Sequence, residues 1–330
     1  MNNSSTLLSV IITVHNGSQD IGACLRSIAL QEGIDDYAVE IIVVDDRSED
    51  DVAGKVRAAA IPNVSVIRID DYTSVDLTAR QVALDAGFER AKGSVIFLID
   101  NDGIAPAQWM RKTLDLLAST GSDAVAGSLV CRSPPPVISA LQIVDSAFYF
   151  TWCRIMNGLG IKTGGYFGNF AVRRDTYRSL GGFRALGFAL TEDLSFIQAL
   201  HDRGKKVAFL GGVPVSGMAS PSWSAVLERS VRYSTGGISY LAAAFVLWVL
   251  SLPLLAVGGI LWGAPFWWAA LVRFLLGGWL IASSLPRKIR PLYIPALLCY
   301  EPIVISIAIC VAIRVAASRH IHWGGVTYRR

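Results

Sequence analysis

Asp100 and Asp102 close the stretch Phe97-Leu-Ile-Asp-Asn-Asp102, where an apolar run ends in two carboxylates one residue apart. Two hard oxygen donors at that spacing can hold a divalent cation. Magnesium and manganese both bind through one or two carboxylates and bridge substrate phosphates. One carboxylate can instead touch a ribose hydroxyl while the other binds the metal. An isolated Asp-x-Asp is equally a solvated turn. Its company favours chemistry, because His15 and Asp45-Asp46 also end apolar runs. Later, Glu192-Asp193 opens a helical stretch. Asp193 suits a general base that takes a proton from an acceptor hydroxyl, with Glu192 beside it, although the same pair can simply favour a helix N-terminus. Arg232 can meet a leaving diphosphate with paired donors or rest on lipid headgroups. His15 either stacks near a base or ends its strand. Arg80 either reaches a nucleotide or lies solvated on its helix.

The elements that must position these groups follow from periodicity. Residues 7–14, 39–46, 64–70, 94–100 and 123–130 read as apolar strands. Helical patterns cover 20–31, 48–60, 78–91 and 106–119, and another helix follows Thr191. Strands that are continuously apolar and alternate with helices predict a mostly parallel sheet covered on both faces. Ligands of such sheets bind beyond the carboxyl ends of the strands. His15, Asp45, Asp46, Asp70, Asp100 and Asp102 all fall at such ends. No GxGxxG follows the first strand, and no phosphate-loop motif occurs, so a dinucleotide or ATP site lacks its main support. Residues 131–163 are apolar and aromatic. They read as a helix on a membrane surface, shaping an acceptor groove, or as a core helix.

Composition divides the chain. Of 330 residues, 52% are hydrophobic and 17% charged, with a mean hydropathy of +0.45, too apolar for an ordinary soluble protein. Between Arg232 and Arg287 the only charged residue is Arg273, and between Arg290 and Arg314 it is Glu301. Tyr240–Trp262, Phe266–Leu285 and Leu292–Ile313 are each long and apolar enough to span a bilayer, preceded by an interfacial helix over 222–237. The basic stretch at 286–291 points to the cytoplasm. Three spans would put the C-terminus outside despite Arg319, Arg329 and Arg330, so either the rule is broken there or one segment re-enters, and Pro295 and Pro302 make the third the best candidate for an irregular path. Arg273 and Glu301 are expected to pair, since burying either alone is costly. The net charge of +4 suits anionic lipid, and no long basic helix suggests nucleic acid. Five scattered cysteines argue against a disulfide framework or a zinc site, and no signal peptide is expected.

Together these pieces resemble the large inverting glycosyltransferase family 2, built on a GT-A nucleotide-sugar-binding domain. The resemblance rests on VIITVHNG at 10–17, VVDDRSED at 43–50, ARQVALDAG at 79–87, FLIDND at 97–102, GNFAVRRDTYRSLGGF at 168–183 and TEDLSF at 191–196. It implies an α/β fold, a GT-A catalytic domain over 1–235 with an interfacial helix, and a helical transmembrane region over 236–330. It implies that Asp45 and Asp46 receive the nucleotide base, that Asp100 and Asp102 make ribose and metal contacts, and that Asp193 is the catalytic base. The stretch ending Arg232-Tyr233 is similar to the family's Gln-x-x-Arg-Trp element, with Arg229 and Tyr233 replacing Gln and Trp. That departure disfavours a processive synthase. Arg47 stands where Gly is usual, and Asp85 where Asn is common. The closing HWGGVTYRR is similar to the tail of members that glycosylate lipids such as ceramide, hopanoids or carotenoids, which implies a cytoplasmic tail near the active site. The expected activity is Mg2+- or Mn2+-dependent transfer of a hexose from a nucleotide sugar, UDP-sugar first, to a hydroxyl of a membrane lipid or lipid-linked acceptor. The expected setting is the inner membrane, with the catalytic domain facing the cytoplasm. Transfer to polyprenyl phosphate, extension of a polysaccharide and non-catalytic nucleotide-sugar binding are the alternatives.

Overall fold

The computed structural model describes residues 6–74, 76–132, 136–234, 240–285, 293–318 and 320–329. Its contacts divide the chain into two units. The first comprises Met1–Val130, Gly164–Met218 and His320–Arg329; the second comprises Cys131–Thr163 and Ala219–Arg319. A single cut near residue 235 therefore does not divide the contacts, because the chain leaves the first unit twice and returns to it at its end.

The first unit is built on a seven-stranded sheet. Its strands are β1 (Thr6–Val14), β2 (Tyr37–Asp46), β3 (Val64–Ile69), β4 (Val95–Leu98), β5 (Ala124–Arg132), β6 (Phe170–Arg173) and β7 (Val207–Met218), in the order β3-β2-β1-β4-β6-β5-β7. The neighbours β3, β2, β1 and β4 run parallel, and β6 pairs antiparallel with β4 and β5. Between the strands lie α1 (Ile21–Ala29), α2 (Val52–Ala59), α3 (Ala79–Arg90), α4 (Trp109–Thr120), α6 (Arg174–Leu180), α7 (Gly182–Leu186) and α8 (Glu192–Asp202), while α5 (Pro136–Gly158) belongs to the second unit. Alternate residues of β1 serve opposite faces. Leu8, Val10 and Ile12 pack with Ile21, Leu25 and Trp109, whereas Ile11 packs with Val44, Leu84, Phe88 and Phe196. Both faces are covered, which is why these strands lack polar alternation.

One helix start differs from the periodicity. Helix α2 starts at Val52, not at Ser48, because the early polar residues serve the neighbouring loop. Ser48 Oγ accepts from the Asn16 N–H at 2.9 Å and Asp50 from the Ser18 N–H at 2.8 Å, leaving Asp51 to cap the helix at Gly54. Helix α3 starts where expected, closed by a reciprocal capping box between Thr78 and Gln81.

The second unit is helical, with α5, α9 (Trp223–Ser234), α10 (Tyr240–Trp262), α11 (Ala264–Ser284) and α12 (Ile294–Ala317). Helix α5 buries Val144, Phe148, Trp152 and Cys153, the pattern of a core helix. Ala264–Ser283 and Ile294–Ala317 are long and apolar enough to cross a membrane, and α10 is apolar over Val246–Trp262. Helix α12 is continuous, correcting the expectation of an irregular third segment. Pro295 sits in its first turn, where a missing N–H breaks no helical bond, and Pro302 is carried inside the helix. Arg273 on α11 pairs with Glu301 on α12 at 2.5 Å, donates to Ser251 Oγ and to the Trp248 carbonyl on α10, and lies 3.8 Å from the Trp248 ring centroid. One guanidinium thus fastens three apolar helices. The basic stretch at 286–291, Arg319 and Arg330 lie outside the described residues.

The chain ends in a hairpin, β8 (His320–Trp323) and β9 (Val326–Arg329). Trp323 pairs with Val326, so Gly324 and Gly325 form a two-residue turn at φ +55° and +71°. Such a turn needs positive φ at both positions, and glycine reaches it without strain.

Candidate active site

The ends of β1, β2 and β3 meet at one rim. Val14 is in register with Asp45, and Asp45 with Arg68. Asp45 is 2% exposed; it accepts from Arg68 at 2.6 Å and from the Ser48 N–H at 3.2 Å. Asp46 is held by Arg47 through both oxygens, at 2.7 and 3.0 Å. Each expected base-receiving acid therefore carries an arginine counter-charge. Arg47 sits at φ 54°, a left-handed conformation that a side chain rarely adopts, where the resemblance would place glycine. His15 Nδ1 lies 2.6 Å from the Asp46 carbonyl. A carbonyl only accepts, so Nδ1 donates in this contact.

A second set gathers beyond β4. Arg80, one residue into α3, reaches Asp100 Oδ1 at 2.5 Å and Glu192 Oε1 at 2.7 Å. Burial works against its charge, but Asp100 and Glu192 outweigh that and raise its pKa above the usual arginine range. One guanidinium thus joins the carboxylate expected on ribose and metal to the acid beside the expected base. Glu192 is buried, and its Oε2 has no hydrogen-bond partner among the described residues. Asp193, half-buried in the first turn of α8, accepts from the Leu194 N–H at 2.8 Å. Thr191 occupies the N-cap position without a side-chain bond to the helix. The other oxygen of Asp100 lies against Gly168, where a Cβ would collide with it. Asp102 Oδ2 accepts from the Met218 N–H at 2.7 Å, and an Ile104–Ser216 bridge pins its loop to β7.

Asp100 and Asp102 suit a hard divalent cation. The Asp102 carboxyl is pushed up by burial and then by the charge of Asp100; a cation between the two would remove that repulsion. No cluster of three or more His, Cys, Asp or Glu ligands occurs among the described residues. Two carboxylates completed by substrate phosphates and water match magnesium or manganese, and the absence of His and Cys argues against zinc.

The Glycosyl transferase family 2 model matches residues 9–181, more than half of the chain, and spans the acid-tipped strands and Gly168. The chain belongs to glycosyl transferase family 2. This glycosyltransferase is 26% identical over 240 residues to glycosyltransferase AglE of Haloferax volcanii, covering 72% of this chain and 75% of that protein. It is 33% identical over 122 residues to an undecaprenyl-phosphate 4-deoxy-4-formamido-L-arabinose transferase of Pseudomonas savastanoi pv. phaseolicola, covering 36% of this chain and 34% of that one. Its fold is similar to that of the mannosyltransferase PcManGT of Pyrobaculum calidifontis, solved with GDP-Man and Mn2+. The TM-score is 0.54 at 19% identity, over 92% of this chain and 86% of that one.

Among the expected residues, the structure gathers His15, Asp45 and Asp46 at one rim, and Arg80, Asp100 and Glu192 in one charged network, with Asp193 next in sequence to Glu192. Arg232 of this glycosyltransferase belongs to the second unit, on α9, where its guanidinium lies 4.9 Å from the Tyr233 ring centroid. Three further residues shape the rim. Arg68 and Arg47 hold the acids, and Tyr328 on the hairpin accepts from the Ala79 N–H at 3.0 Å. The register of β2 with β3 is the signal that could have found Arg68.

Proposed function

We propose that this enzyme transfers one hexose from a nucleotide sugar, UDP-hexose first, to a hydroxyl of a membrane lipid or lipid-linked acceptor, with a divalent metal and inversion at the anomeric carbon. The observation that carries the reading is the Arg80 bridge, which ties Asp100 to Glu192 and so links the diphosphate end of the site to the helix turn bearing Asp193. Asp193 takes the proton of the acceptor hydroxyl, and its oxygen attacks the anomeric carbon. The bond from that carbon to the diphosphate oxygen breaks, and the nucleoside diphosphate leaves. One displacement inverts the configuration. Asp102 and Asp100 would hold magnesium or manganese, which when bound neutralises the charge developing on the diphosphate. His15, Asp45 and Asp46 receive the base, and Arg232 supplies donors to the leaving diphosphate. The apolar helices support a seat in the inner membrane, with the catalytic residues on the cytoplasmic face and the acceptor hydroxyl presented at the bilayer surface.

Membranes carrying the full chain, given a panel of UDP-, GDP- and dTDP-hexoses, are expected to yield a lipid heavier by one hexose. A ladder of products would overturn single transfer. Asp193→Asn is expected to lower turnover by roughly a hundredfold or more, the scale of general-base catalysis. The similarity to an undecaprenyl-phosphate transferase favours a second reading, in which the acceptor is a polyprenyl phosphate. That acceptor is already an anion and needs no base, so near-normal turnover in Asp193→Asn would select it.

A further inference from the structure

The hairpin touches the first unit at three places, each beside a residue of the site. At its turn, the Gly324 carbonyl accepts from Arg47 Nη2 at 3.1 Å, the same nitrogen that binds Asp46. Gly325 lies against His15, so closely that a Cβ there would come within 3.2 Å of Nε2. Farther along, the Tyr328 hydroxyl accepts from the N–H of Ala79, the first residue of α3, next in sequence to Arg80. That N–H has no partner within its own helix. At the third place Ile321 and Tyr328 bury against Leu190, two residues before Glu192. Tyr72 completes the seam. Its ring lies edge-on to Tyr328 and beneath Arg47, and its hydroxyl donates to the Leu77 carbonyl at 2.5 Å.

These contacts are specific. Arg47 spends a strained backbone conformation to reach both Asp46 and the turn. Tyr328 meets an amide that would otherwise need water. A patch of apolar packing alone would need neither bond.

We propose that the C-terminal hairpin is a working part of the donor site: its Gly324-Gly325 turn is the outer wall of the base end, and Tyr328 positions Arg80 through α3. The affinity for the nucleotide sugar then depends on a segment that follows the last apolar helix, while the acceptor does not meet it. Arg47 and Tyr328 are positioning residues, acting through Asp46 and Arg80. The proposal rests on the donor-site reading given above.

The test uses the full chain in detergent or membranes, with UDP and GDP in the presence of Mn2+ as binding probes. Arg47→Ala, Tyr328→Phe and Tyr328→Ala are compared with the unaltered protein. Each is expected to weaken binding of the preferred nucleotide by about tenfold, one lost hydrogen bond or a little more. Donor KM should rise by a similar factor while acceptor KM stays constant. Tyr328→Phe is the informative variant, since it keeps the ring in its apolar seat and removes only the acceptor oxygen. Were the hairpin merely a packed lid edge, Tyr328→Phe would match the unaltered protein in nucleotide affinity and donor KM, and that result would overturn the proposal. A lower melting temperature with unchanged donor KM would overturn it too. Asp102→Ala separates the two readings. If it leaves nucleotide binding intact, the donor-site reading itself falls. If it abolishes binding while the hairpin variants bind normally, the hairpin proposal falls alone.

Discussion

Arg80 serves two acids with one guanidinium, and that sharing has consequences for both stability and turnover. Replacing it by methionine keeps much of the stem and removes the charge. Asp100 and buried Glu192 then lose their common counter-ion. Because Asp100 is about a third exposed, water offsets part of the loss, and we expect roughly 1–3 kcal/mol of destabilisation, read as a lower melting temperature, together with a large drop in turnover. Arg80→Lys is expected to recover stability ahead of activity, since an ammonium lacks the fork that reaches two carboxylates at once. Unchanged melting and turnover in Arg80→Met would mean that the bridge supports neither stability nor catalysis. At this scale the sequence was informative about acids and poor about their partners. Asp100, Asp102, Glu192 and Asp193 stand out because strand ends and helix starts are set by local periodicity. The arginine on Asp45 does not. Arg68 reaches Asp45 across a strand pairing, and Tyr328 meets Ala79 over a separation of 249 residues, distances that no local spacing encodes.

The elements were legible where the hydrophobic pattern was strong. Strands β1, β2 and β4 announced themselves, and α3 carried its own capping box. Helix α2 began later than its acids suggested, because loop amides claimed those side chains first. The hairpin went unread as structure, although Trp-Gly-Gly-Val fits a two-residue turn between short strands. It also makes a testable statement about pH. Burial raises the Tyr328 phenol from 10.0 to about 12, against the lowering effect of the Ala79 bond. The docked hairpin therefore keeps its proton where a free one begins to lose it. The stabilisation from this group is complete below about 10 and disappears as the pH climbs through about 12. A tyrosinate absorbance titration, with Tyr328→Phe subtracted from the unaltered protein, should isolate a component with its midpoint near 12. A component near 10 would mean that the hairpin is undocked in solution.

For the whole molecule, the decisive fact is where the chain returns. Met1–Val130, Gly164–Met218 and His320–Arg329 share one unit, so both ends of the apolar region are expected on one side of any bilayer it enters. A hairpin docked on that unit is expected to leave an even number of complete crossings between them. Charged tags at the N- and C-termini, probed with an impermeant reagent in intact and opened cells, should respond together; opposite responses would refute the shared unit. That expectation bears on the conflict between three apolar segments and an arginine-rich tail, a conflict that composition raised and could not answer, since hydropathy does not record which elements pack together. The same return sets a schedule. Domains generally fold as the ribosome releases them, N-terminal parts first, yet this one waits for β8 and β9 until α10, α11 and α12 have been translated. If those strands complete the donor site, the nascent enzyme idles until they have left the ribosome.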